Sequence, residues 1–195
     1  MLENTLRLRS KQFPVSVLAQ QWPQDLTEIP YSGVYHNGRH VGEFSRNWHL
    51  FCWNPRVGRW ADVPNPSNPL RMYYGERGLT ICNYDTTGFD VAEGKIEQQM
   101  AAFCTAFDSI PNHYLIFVAA SHYTTSGTLN DAMKTRLISI GVPSETLAWQ
   151  NAGQDAKFNQ VMAGFKGSAP GQCLANAQNN AVENGVTAAW SHFRL

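Results

Sequence analysis

The clearest hydrophobic pattern is the run Tyr114-Leu115-Ile116-Phe117-Val118-Ala119-Ala120, apolar at every position and strand-sized. A strand with no polar face is expected to be covered on both sides, so this run predicts the central strand of the fold. Residues 92–107 instead place Ile96, Met100, Phe103, Cys104 and Phe107 on one helical face, and Pro111-Asn112 breaks the pattern. A second helix opens at Thr128-Leu129-Asn130-Asp131, lines up Met133, Leu137, Ile138 and Ile140, and stops at Gly141 and Pro143. Strands are expected at Trp48–Trp53, Leu79–Tyr84 and from Lys157 into a glycine-rich turn ending at Gly167. Residues 33–41 read as a hairpin, because Asn37-Gly38 supplies the two positive-φ positions of a type I′ turn. The Asn54–Gly58 stretch is a turn, and the three prolines of residues 62–69 require an irregular loop.

Residues 1–30 hold one alternating stretch, Phe13–Leu18, and read as an extended arm or an edge strand. The arm reading would dock it on a neighbouring subunit. The Asn/Ala-rich tail, 172–195, fits a short helix or a strand. The expected fold class is α/β (α+β): a mostly antiparallel β-sheet sandwich with two covering helices, spanning residues 31–195.

Composition narrows the function. Charged residues are 15% of the chain, well below the roughly 25% of average proteins, and 15 basic residues balance 15 acidic ones. No basic excess exists to neutralise phosphates, so nucleic-acid binding is not expected. A low-charge, amide- and aromatic-rich surface suits neutral ligands such as sugars, or a protein partner. No apolar stretch reaches 18 residues, so no membrane span is expected. The N-terminus has no charged segment followed by an apolar run, so no secretory signal is expected either. Cys52, Cys82, Cys104 and Cys173 show no CxxC spacing; they read as thiols, three of them buried, and not as zinc ligands.

No Walker, G-x-S-x-G or H-E-x-x-H signature is present. Asp85-Thr86-Thr87-Gly88 reads as a turn cap, and Asp131 as a first-turn charge suited to the helix dipole. Cys104 with His113 or His122 could imitate a thiol protease, but Cys104 falls on an apolar helix face. His36, His40 and His49 read as exposed strand and turn histidines, and no metal or cofactor is expected. Trp53 and Trp60, flanking the 54–58 turn, and Tyr73, after the proline-rich loop, are the candidate ligand platforms. Aromatic faces stack on sugars, although burial in the core is the competing reading for each.

The ordered pieces His36-Asn37-Gly38-Arg39, Asn54-Pro55-Arg56-Val57-Gly58, Tyr84-Asp85-Thr86, Ile110-Pro111-Asn112, Ile140-Gly141, Leu147-Ala148-Trp149 and Gly164-Phe165-Lys166-Gly167 resemble the interleukin-like EMT inducer domain, or GG domain. The likeness spans roughly residues 33–172. Arg46-Asn47 replaces the family's Arg-Gly, residues 62–76 form a proline-rich insertion, and the family's disulfides have no obvious counterparts. Carbohydrate-binding members place an acidic residue just past the buried strand and an arginine after the Trp. Here those places hold Ser121-His122 and Gln150.

The resemblance implies a non-catalytic recognition domain, a glycan or a neighbouring virion protein as partner, and a place in an oligomeric assembly. It points to a phage virion component (tail fibre, baseplate or surface decoration) made in a host cytoplasm. Candidate ligand residues are Trp53, Trp60, Tyr73, Asp85, His122 and Gln150. A purely structural virion protein, a glycan hydrolase and a secreted signalling factor are the rival readings; the missing signal and disulfide framework weigh against the last.

Overall fold

A computed structural model of the chain describes residues 14–20, 33–43, 47–67, 69, 71–86, 91–124, 129–148, 157–181 and 188–194. Eleven strands are found among them: β1 (Pro14–Gln20), β2 (Gly33–His36), β3 (Arg39–Glu43), β4 (Asn47–Asn54), β5 (Arg59–Ala61), β6 (Arg71–Tyr74), β7 (Thr80–Tyr84), β8 (Leu115–Thr124), β9 (Lys157–Phe165), β10 (Ala175–Ala181) and β11 (Ala188–Arg194). The helices are α1 (Ile96–Ser109), α2 (Asp131–Ser139) and the one-turn α3 (Glu145–Ala148).

The strands form two sheets, antiparallel at every named pairing. One has the order β11-β1-β2-β3, the other β10-β9-β8-β4-β7-β6, with β5 folded back onto β4. The expected α+β sandwich is thus the observed architecture, built in three layers: small sheet, large sheet, helices. Alternation along the large sheet fills two separate cores. Trp48, Leu50 and Cys52 of β4, Ile116 and Val118 of β8, and Cys82 and Tyr84 of β7 pack under the helices with Met100, Phe103, Phe107, Met133 and Leu137. Phe51, Trp53, Leu115, Phe117, Ile81 and Val161 point the other way and meet Val15, Val17, Val34 and Val41 of the small sheet. The apolar run in β8 sits between β4 and β9 with Leu115 to Ala120 all buried, as its pattern requires.

Local chemistry sets the element ends. Asn37 (φ 55°) and Gly38 (φ 72°) make the β2–β3 turn. Asn130 caps α2, its side chain accepting from the Met133 N–H at 2.9 Å. Gly141 ends that helix at φ 89°, and its carbonyl accepts the N–H groups of Gly171 (2.7 Å) and Cys173 (3.1 Å). The turn after β9 is thereby tied to α2. From that turn Lys166 Nζ reaches two carbonyls at the C-terminal end of α1, Asp108 at 2.9 Å and Ile110, the residue after the helix, at 2.7 Å. That places a cation where the helix's partial negative charge lies.

Several expectations need correction. Pro14–Gln20 is neither a free arm nor an edge strand: it is an inner strand, paired with β11 on one side and β2 on the other. The tail contributes two strands, not one element. Helix α1 begins at Ile96, after a 3-10 turn at Glu93–Lys95, not at residue 92. The proline-rich stretch 62–76 carries its own strand, β6, along the edge of the large sheet.

Candidate functional site

The register gathers polar residues at one end of the large sheet. Asn47, the first residue of β4, is opposite Ser121 of β8, and Trp48 is opposite Tyr84, the last residue of β7. Asp85 follows Tyr84 just past the end of β7 and His122 follows Ser121 within β8, so both positions lie on either side of the start of β4 at Asn47. The start of β9 pairs with the ends of β8 and β10 at the same end, through Lys157 with Thr124 and with Ala181. The joining segments 44–46, 87–90, 125–128, 149–156 and 182–187 lie outside the described residues.

Asn47, His49, Asn83, Asp85, Thr86, Asn159 and Gln160 are all buried at this end. Asp85 accepts the Val91 N–H at 3.0 Å, the turn-capping role its sequence context suggests. His49 bonds the Ala119 carbonyl through Nδ1 at 3.1 Å; a carbonyl only accepts, so the proton sits on Nδ1. On the helix side Gln160 donates to Asn176 Oδ1 (2.8 Å), whose amide donates to Thr146 Oγ1 (3.0 Å). That chain fixes β9 and β10 to α3. The arrangement offers fixed, mostly neutral hydrogen-bonding groups, with Asp85 as the buried carboxylate among the described residues.

The six candidate ligand residues do not form one site. Trp53 and Trp60 pair across β4 and β5 near the opposite end and are 5% and 3% exposed. Six strand positions separate Trp53 from Asn47, about 20 Å at the usual strand rise. Their rings pack on each other, with Trp60 also against Phe51 and Phe117, and His36 edge-on to both. These rings are core, and their faces cannot stack on a ligand. Tyr73 is placed on the edge strand β6 opposite Ile81, and its side chain lies outside the described residues. The same holds for the side chain of His122 in β8 and for the whole of Gln150. Asp85 and the position of His122 are what the structure brings together.

The histidines also need correction. Of the three expected to be exposed, His36 and His49 are buried and His40 is partly open. Among the described residues no group of three His, Cys, Asp or Glu side chains could hold a metal ion. All four cysteines are unpaired. Burial pushes the Cys104 thiol up, away from the thiolate a nucleophile needs, while His113 packs edge-on against Tyr114. No helix among the described residues is long and apolar enough to cross a membrane.

Sequence reasoning missed Asn47, His49, Asn83, Asn159 and Gln160. The available signal was polar residues inside strongly apolar strands. Comparison with models of known protein families gave no match, and neither did comparison with curated proteins.

Proposed function

We propose that the chain is a non-catalytic recognition domain for a neutral glycan, carried on a phage virion. The observation supporting this reading is the polar end of the large sheet, where Asn47 and His49 of β4, Asn83 of β7, Asp85 just past β7 and Asn159 of β9 form a buried polar layer beside the position of His122. The side chains at the His122 and Gln150 positions, an imidazole and an amide, can each donate and accept, as the hydroxyl groups of an uncharged sugar do. The balanced charge of the chain agrees with a neutral ligand. The GG-domain resemblance supplies the virion setting and assigns the positions of His122 and Gln150 to the same role. In this reading contacts come from the positions of His122 and Gln150; Asp85, fully buried, positions the backbone beside them through the Val91 N–H, and Trp53 and Trp60 act only through the core.

A glycan array probed with folded protein tests this. A saturable hit that weakens in His122→Ala and Gln150→Ala, at unchanged melting temperature, is the expected result. A blank array points to a purely structural virion role instead. Turnover of the bound sugar, abolished by Asp85→Asn, points to a hydrolase.

A further inference from the structure

The inner face of the large sheet carries a polar side chain, that of Asn83, which the contacts above leave unexplained. His49 of β4 and Asn83 of β7 stand directly opposite each other. Asn83 lies between Cys82 and Tyr84, which pack under the helices, and two residues from Ile81, which packs between the sheets. Alternation therefore turns its amide into the space between the two sheets. Asn83 is fully buried, yet among the described residues neither its Nδ2 nor its Oδ1 meets a partner. Thr86, three residues on and equally buried, leaves its Oγ1 without one as well.

A buried amide with both halves unmet is costly, and protein interiors meet such groups with protein atoms or with held solvent. The partner that suits this site is narrowly defined. Nδ2 offers only protons and Oδ1 only lone pairs, so a cation satisfies one and an anion the other. An apolar guest satisfies neither. One small, uncharged group that donates and accepts at the same atom satisfies both, and that group is a hydroxyl.

We propose that Asn83 is an internal binding site for one hydroxyl group, filled by a long-lived water molecule in the free protein. The site lies between the sheets at their polar end, and it stands whether or not the chain binds a glycan. Buried polar corners of this kind are where ordered water becomes part of a structure.

The test uses the whole chain, labelled with nitrogen-15 at asparagine, and water itself as the probe. The Asn83 side-chain NH₂ signals are assigned by their loss in Asn83→Leu. They are expected to show a nuclear Overhauser effect to water with the sign of a slowly tumbling, bound molecule. A crystal structure of the unaltered protein is expected to place one water within hydrogen-bond reach of both Nδ2 and Oδ1, and this measurement stands even if the leucine variant fails to fold. A crystal structure in which the Asn83 amide bonds only to protein groups, or in which no density adjoins it, overturns the proposal.

Discussion

Trp53 meets Trp60 edge to face, ring centroids 5.2 Å apart, where β5 folds back on β4. An edge-to-face pair closed in by Phe51, Phe117 and His36 is a packing unit between the sheets. Trp60→Ala is expected to destabilise the protein by about 3–5 kcal/mol, the usual cost of emptying a large core site. Trp60→Phe should cost much less, because it keeps most of the ring and removes an indole N–H that has no protein partner. Urea unfolding of the two variants measures this. Equal, small losses for both would show the ring to be peripheral.

Gly141 holds the junction of α2 with the turn after β9. At φ 89° an added Cβ would lie 2.7 Å from the Gln172 carbonyl carbon, closer than side chains tolerate. Gly141→Ala should cost about 1–3 kcal/mol from backbone strain alone, with the clash adding to it. The loss should appear as a lower urea midpoint and as faster hydrogen exchange of the Gly171 and Cys173 amides that bond the Gly141 carbonyl.

Alkali should unfold the protein through its buried thiols. Burial, with Cys82 and Asp62 nearby, pushes the Cys52 thiol from 9.0 up to about 12. Burial likewise pushes Cys82 up to about 11, against the opposing hydrogen bond from Tyr84. In the unfolded chain both ionise near 9.0, so between that pH and the folded values the native state holds more protons. Stability is then fully present below pH 9.0 and is lost as pH rises toward about 11 and 12. Melting temperature followed across this window should fall less steeply in Cys52→Ala/Cys82→Ala than in the unaltered chain. Parallel curves would mean the thiols are solvated.

Much of this fold was legible because its strongest signals are local. The apolar run from Leu115 to Ala120, the helical spacing of Met100, Phe103 and Phe107, and the Asn37-Gly38 turn each carry their own physical cause. The tail was less legible: Ala and Asn have weak strand preference, and pairing with β9 and β1 is what makes β10 and β11 strands. The site was the least legible. Alternation of His49 with Leu50, or of Asn83 with Cys82, ordinarily marks a solvent-facing side. Here a second sheet covers that side, so polar positions are as buried as apolar ones. The same double coverage places Trp53 and Trp60 in the core, where a one-sided sheet would have exposed one face.

Glycan recognition at the polar end can be read residue by residue from amide chemical shifts during titration with an array-positive glycan. Perturbations are expected at Gln150 and at the polar end, residues 47–49, 83–86, 121–124 and 157–160, with the amides of Trp53, Trp60 and the Asn37-Gly38 turn unmoved. Perturbations centred on the 54–60 turn, or none at a saturating concentration of that glycan, would contradict it.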